Sequence, residues 1–277
     1  MARERIEIPK GDLERLYYLE KKSKYKIGAI YNCSFKTVLN RMREFGMRPL
    51  HRSVIQSRYT KTDFNENIFD KAYLIGFRLG DLNVYKTSPN SQVVIARCST
   101  TTQEQIDLLR ALFEKYGKVT ISKGNHSYGV NCLLNSTFDF LLPKNDSVET
   151  WITKHNKYST AFAAGYVDAE GNVKVYDGRA RFKIDSYDKG IIHWFYDWFL
   201  KNAISCPKPS LIGSKDQIYN QKLKYKYNKD LWRIRVSEQS SLTKLLLLLK
   251  PYLKHGGRIR DVNQCLGNLY KRHFKIQ

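Results

Sequence analysis

The chain is short of everything that builds disulfide scaffolds, zinc clusters or membrane spans. Its 277 residues hold five cysteines, Cys33, Cys98, Cys132, Cys206 and Cys265, an odd and scattered set without a Cys-x-x-Cys pair. That argues against a disulfide framework and a structural zinc site, and for a reducing, intracellular compartment, cytoplasmic or organellar. The six histidines show no ligand spacing. The longest apolar stretch, Leu245–Leu249, falls far short of the roughly 20 residues a bilayer crossing needs, so no membrane is expected. Residues 1–10 alternate in charge and offer no apolar run, so no signal peptide is expected. Acids are scarce too: 26 Asp and Glu face 48 Lys and Arg, a formal charge of +22. A surplus that large implies a polyanionic partner, nucleic acid above all. Ribosomal and membrane-surface proteins are also this basic, so charge alone names no activity.

What is present is a globular composition, 42% hydrophobic, and two stretches that copy each other. The first is Tyr73-Leu74-Ile75-Gly76-Phe77-Arg78-Leu79-Gly80-Asp81; the second is Phe162-Ala163-Ala164-Gly165-Tyr166-Val167-Asp168-Ala169-Glu170-Gly171-Asn172. Both read as apolar helices, with Asp70 and Ser159 or Thr160 as N-caps. Ala72, Gly76 and Gly80 share one face of the first, and Ala161, Gly165 and Ala169 one face of the second. Smooth faces let two backbones approach closely, which makes Gly76 and Gly165 the expected helix interface. Packed so, the helices bring Asp81 and Glu170 together at their C-terminal ends. A carboxylate is badly placed there, and two are worse, unless a cation lies between them. A hard divalent ion with oxygen ligands, Mg²⁺ above all, resolves the conflict.

These residues resemble the LAGLIDADG homing endonucleases in their single-chain, two-repeat form. The second copy matches the motif at nearly every position. The first departs from it at Leu79, where the family has its earlier acid, and at Leu82, where it has a closing Gly. The resemblance implies an α+β fold of two pseudo-twofold-related αββαββα repeats with basic sheet saddles. It makes Asp81 and Glu170 the catalytic metal ligands, with the carbonyls of Gly80 and Ala169 as further ligands. It also implies Mg²⁺ as cofactor, with Mn²⁺ able to substitute and Ca²⁺ binding without supporting cleavage. Thr101 and Asp185 fall where the family places a polar residue after the second strand; Asn135 and Gln239 fall near its pocket lysine, and neither is cationic.

Taken in order, residues 1–60 read as a helix-turn-helix module with a basic linker, 61–150 as the first repeat and 151–277 as the second. In the module a helix starts near Gly11-Asp12, a second runs from Tyr25 to Tyr31 with Ile27 and Ile30 inward, and Ser34 caps a third that ends at Gly46. Val38, Met42 and Phe45 face its core, leaving Lys36, Thr37, Asn40, Arg41 and Arg43 for DNA. Pro49, His51, Arg52 and Arg58 mark the linker. In the first repeat, Thr101 and Glu104 form a capping-box pattern before the next helix. In the second, Asp177-Gly178 marks a hairpin turn and residues 205–230 a basic hairpin or insertion.

Three strands of the second repeat alternate cation and apolar residue. Arg179, Arg181 and Lys183 oppose Ala180, Phe182 and Ile184; Arg233 and Arg235 oppose Trp232, Ile234 and Val236; Lys222, Lys224 and Lys226 oppose Leu223, Tyr225 and Tyr227. Period two marks a half-buried strand, and faces this poor in acids suit the DNA major groove. Lys174 belongs with them, and Arg97, Lys118 and Lys123 are the first repeat's candidates. The expected activity is a monomeric, intron-encoded, site-specific double-strand DNA endonuclease that needs no protein partner and cuts a long pseudo-palindromic target. The alternative is a non-cleaving LAGLIDADG protein acting as an RNA maturase or DNA-binding regulator.

Overall fold

The computed structural model describes residues 6–50 and 59–274. Its contacts form two compact units, Met1–Thr60 with Lys86–Val93, and Lys61–Tyr85 with Val94–Gln277.

The first unit is helical. α1 (Lys10–Glu14) continues as a π turn over Arg15–Leu19; α2 (Lys24–Ile30) and α3 (Phe35–Glu44) follow. Ser23 and Ser34 cap α2 and α3, accepting from the amides of Lys26 at 3.3 Å and Thr37 at 3.2 Å. Leu13, Leu16, Tyr17, Ile27, Val38 and Met42 close a small core. Gly28 permits the turn into α3, because a Cβ there would sit 2.5 Å from the Cys33 carbonyl oxygen. Gly46, at φ +65°, ends α3 in the left-handed region.

Two expectations fail in this unit. Ile30, the last residue of α2, is 53% exposed: it lies beyond the small core that Ile27 joins. Arg41 is only 8% exposed, and it does not stand on a DNA-facing surface. Its Nε and Nη2 donate to the Ile6 carbonyl at 3.3 and 3.1 Å, and its Nη1 meets Glu44 at 2.6 Å. Arg41 lies between Val38 and Met42 on the helix, so it shares their inward face and staples the segment before α1. Lys36, Asn40 and Arg43 are exposed, and Thr37 is half-buried beside the Ser34 hydroxyl. The linker residues His51, Arg52 and Arg58 lie outside the described residues.

The second unit is built on α4 (Ile68–Asp81) and α7 (Asn156–Glu170). After α4 come β1 (Asn83–Tyr85), β2 (Val93–Thr100), α5 (Gln103–Phe113), β3 (Lys118–Lys123), β4 (Tyr128–Asn135), a 3₁₀ turn over Ser136–Leu141 and the short α6 (Thr150–Thr153). After α7 come β5 (Gly171–Tyr176), β6 (Arg179–Ser186), α8 (Lys189–Lys201), β7 (Ser210–Gly213), β8 (Ile218–Asn220), β9 (Tyr225–Lys226), β10 (Leu231–Val236), α9 (Gln239–Leu249) and α10 (Gly256–Phe274). Two four-stranded sheets result, ordered β1-β2-β4-β3 and β5-β6-β10-β7, and the strand pairs whose registers are resolved run antiparallel. Both sheets bury one face with the two helices in a single hydrophobic core. The β5–β6 hairpin turns on Asp177 (φ +48°) and Gly178 (φ +71°), a pair suited to a turn with two left-handed residues.

Helix starts differ from the sequence reading. α4 is capped by Asn67, whose Oδ1 accepts from the amides of Phe69 and Asp70 at 3.0 Å each, so Asp70 lies in the first turn. α7 begins a turn earlier than expected, at Asn156. Ser159 and Thr160 are buried inside it, donating to the carbonyls of Ile152 (2.9 Å) and Asn156 (2.8 Å). The Thr101–Glu104 capping box does not form; Thr102 precedes the first turn of α5 and Glu104 pairs with Arg260 at 2.7 Å. The third cationic strand is also absent. β8 and β9 make a separate two-stranded ribbon, and Lys222 and Lys224 lie in its turn, Lys224 at φ +52°. Leu223 and Tyr225 are 54% and 52% exposed; with no core beneath it, this ribbon has no buried face to alternate against.

Candidate functional site

Gly76 and Gly165 let α4 and α7 touch backbone to backbone. A Cβ on Gly76 would lie 2.1 Å from the Phe162 carbonyl oxygen, and one on Gly165 2.0 Å from that of Tyr73. At the C-terminal end the contact persists, since a Cβ on Gly80 would lie 2.4 Å from the Ala169 Cβ and 2.9 Å from the Glu170 Cγ. Asp81 and Glu170 therefore end neighbouring helices side by side, where both helix dipoles present their negative poles.

Burial pushes Asp81 up from 3.8 to about 6, against the pull of the Gln105 hydrogen bond and of Arg258 and Lys144. Burial also pushes Glu170 up from 4.5 to about 7, with Asp81 and Asp188 raising it further and Lys144 opposing. Two half-buried acids that hold their protons beyond the usual range are a dry donor set short of positive charge. Among the described residues no group of three or more His, Cys, Asp or Glu could hold a metal. Two carboxylates and nearby helix-end carbonyls nevertheless suit a hard divalent ion, which takes its other oxygens from water or phosphate.

Several partners of the pair have no signal in the motif itself. Gln105, on the first turn of α5, donates Nε2–H to Asp81 Oδ2 at 2.7 Å. A cleft of about 290 Å³ opens beside them, lined by Asp81, Ser99, Thr100, Thr101, Gln105 and Ser127. The equivalent flank of Glu170 holds Asp188, itself raised by burial and by Asp146. Lys144, on the connector between the halves, is the cation whose field reaches both acids. Arg258 donates Nε–H to the Val167 carbonyl at 3.2 Å, and Arg78 does the same to Leu141 at 2.8 Å, so each motif helix has an arginine near its end, Arg78 buried and Arg258 half-buried.

Asp168, the motif's earlier acid, is 2% exposed and ties three segments together. Its Oδ2 accepts from the Tyr73 hydroxyl at 2.6 Å and from the amides of Lys254 (2.7 Å) and His255 (3.1 Å). Leu79 fills the corresponding place in α4 as core, 5% exposed. Asn135 and Gln239 are bonded to other partners: Asn135 donates to Asp63 at 2.6 Å and Gln239 to the Leu269 carbonyl at 3.2 Å. Asp185 is held elsewhere too, in a fork with Arg233 on the second sheet.

That sheet presents its cations together. Lys174 pairs with Arg181, Lys183 with Arg235 and Asp185 with Arg233 across the strands, all on the face opposite Phe182, Ile184, Ile234 and Val236. A groove of about 590 Å³ runs over Arg179, Arg181, Lys183, Arg233 and Arg235, joined by Arg272 of α10. On the first sheet Arg97 is exposed on β2 opposite Asn83. The rest of that face is mostly uncharged, with Thr120, Ser122 and Asn131 in register on β3 and β4.

No family model matches the chain, and no curated protein matches its sequence. Among the described residues no helix is long and apolar enough to cross a membrane. Solved structures resemble the chain in part. I-DmoI, in complex with DNA and Ca, is 15% identical, with a TM-score of 0.48 over 72% of this chain and 100% of that one. I-WcaI, bound to its DNA recognition sequence, is 15% identical, with a TM-score of 0.48 over 78% and 94%. Full-length WhiA from Thermatoga maritima is 10% identical, with a TM-score of 0.47 over 76% and 63%.

Proposed function

We propose that the chain is a site-specific, Mg²⁺-dependent double-strand DNA endonuclease of the two-repeat LAGLIDADG kind, acting as a monomer, with its N-terminal helices as an added DNA contact. One observation carries the reading: α4 and α7 abut through glycines and end in two carboxylates held above their usual range by burial. A structural ion pair would place a cation against each acid, whereas here each is short of one. The two sheets of like strand order, one strongly cationic, supply the surfaces to lay a duplex across that end.

Asp81 and Glu170, with the carbonyls of Gly80 and Ala169, would hold the divalent ion. Such an ion polarises the phosphodiester and lowers the cost of charge on the leaving oxygen. Gln105 fixes the Asp81 carboxylate, and Lys144 adds positive potential where a phosphate would rest. Arg179, Arg181, Lys183, Arg235 and Lys174 contact the duplex through the second sheet, Arg97 through the first. Lys36, Thr37 and Asn40 contact it through α3, and Lys222, Lys224 and Lys226 through the ribbon.

The test is a library of duplexes incubated with the full chain in Mg²⁺ and then in Ca²⁺. Defined double-strand cuts in Mg²⁺, lost in Asp81→Asn and Glu170→Gln while binding persists, support the reading. Binding to structured RNA with no cut in any duplex would replace it with the maturase alternative.

A further inference from the structure

The cationic face of the second sheet contains one acid, and that acid is not spread among its neighbours. Asp185 on β6 stands directly opposite Arg233 on β10. Its Oδ1 accepts from Arg233 Nε at 2.6 Å and its Oδ2 from Nη2 at 2.7 Å. Lys183 Nζ approaches the same Oδ2 at 3.3 Å. Among the described residues Arg179, Arg181 and Arg235, on the same face, make no ion pair. A carboxylate on a surface meant for phosphates costs affinity by repulsion, so its presence needs a compensating role.

The fork supplies one. Guanidinium has five N–H groups in a plane. Asp185 occupies the edge formed by Nε–H and one Nη2–H, and the outer edge keeps one Nη1–H and the second Nη2–H. Two parallel N–H groups on that edge match the O6 and N7 acceptors of guanine in the major groove. Holding the plane in advance removes the rotamer entropy that a free arginine loses when it binds. Arg233 is one-third exposed and lines the groove together with Arg181 and Arg235, with Tyr227 near enough to act on its charge.

We propose that Arg233, oriented by Asp185, reads one guanine in the half-site under the second sheet, with Asp185 as a positioning residue. The inference rests on the DNA-binding reading above and adds to it a residue, a base and an edge of that base. The unpaired arginines beside it are free to follow phosphates, which carry no sequence.

The experiment is selection of randomised duplexes by the full chain in Ca²⁺, followed by sequencing, for the wild type, Arg233→Lys and Asp185→Asn. The wild type is expected to fix a guanine at one position of one half-site. Arg233→Lys keeps the charge but not the planar fork, and should lower the preference at that position alone by roughly ten- to a hundredfold. Asp185→Asn should relax the same position several-fold while raising affinity for unrelated duplexes, since it removes a negative charge. That pairing of opposite signs is the readout a merely structural contact would not give; a folded state is verified for each variant by its melting curve. A consensus unchanged in both variants, or one weakened evenly at all positions, overturns the inference and leaves the endonuclease reading standing. No enrichment of any duplex by the wild type overturns both.

Discussion

The two halves of the second unit share a strand order and end their core helices in an acid, yet they are finished differently. In the first half Asp81 receives a hydrogen bond from Gln105, and the sheet face is mostly neutral. In the second, Glu170 has Asp188 beside it in place of a donor, and the sheet face is lined with arginine. Asp168 ties the second helix to Tyr73 and to the chain entering α10, while Leu79 leaves the first without such a tie. The glycine seam, which leaves no space for variation, is common to both. Groups that face solvent are where the halves diverge.

The seam gives the largest expected effect. Gly165→Ala places a methyl about where the Tyr73 carbonyl already is, and Gly76→Ala does so against Phe162. Each should destabilise by roughly 3 kcal/mol or more in urea unfolding, with Gly→Val worse. Gly267→Ala in α10 meets nothing within 4 Å and should stabilise by about 0.5–1 kcal/mol. If all three substitutions behaved alike, the tight contact between α4 and α7 would be refuted.

At the acid pair, Asp81→Asn or Glu170→Gln should each lower cleavage by about a hundredfold or more, read as single-turnover rate on a defined target. Equal residual activity in both would erase the distinction between a flank with Gln105 and one with Asp188.

The pH dependence separates the two acids further. Both are raised in the native state, so between pH 3.8 and about 6 for Asp81, and 4.5 and about 7 for Glu170, the folded chain binds more protons than the unfolded one. Stability of the metal-free protein should therefore be greatest below this window and fall as pH rises through it, by at most roughly 3 kcal/mol per acid. Glu170→Gln should remove the part of the fall nearest pH 7, and Asp81→Asn the part nearest pH 6. Because protons compete with the cation, Mg²⁺ should raise the melting temperature more at pH 8 than at pH 5.5. A flat profile without metal would contradict the buried, uncompensated pair.

Smaller effects distinguish the sheets and the N-terminal module. Arg181→Ala should lower the slope of log affinity against log salt by about one phosphate contact, near 0.9, and Arg97→Ala by no more than that. Arg41→Met should cost the N-terminal unit roughly 1–3 kcal/mol by freeing the Ile6 carbonyl, with little change in the salt slope. A slope change in Arg41→Met as large as that in Arg181→Ala would restore Arg41 to the DNA-facing set.

Periodicity made much of this legible. Small residues four apart on two matching stretches mark which faces meet, because a helix returns to the same face nearly every turn. Strict alternation in β6 and β10 marks their solvent sides, because a strand has only two. Where the pattern lacked a partner it misled: Lys222, Lys224 and Lys226 alternate with apolar residues but lie in and beside the turn of a ribbon with no core. Arg41 misled for the opposite reason, since an arginine whose carbonyl partner lies 35 residues away in sequence looks like any surface cation.

By itself, then, the sequence determined the charge, the duplicated helices and the identity of the two acids, all of which are local patterns. Only the tertiary structure decided what stands around them. Gln105 reaches Asp81 across 24 residues, Arg233 meets Asp185 across 48, and Asp168 meets Lys254 across 86. Such contacts depend on where sheets and helix ends come to rest, and no spacing along the chain encodes the distance between atoms that packing brings together.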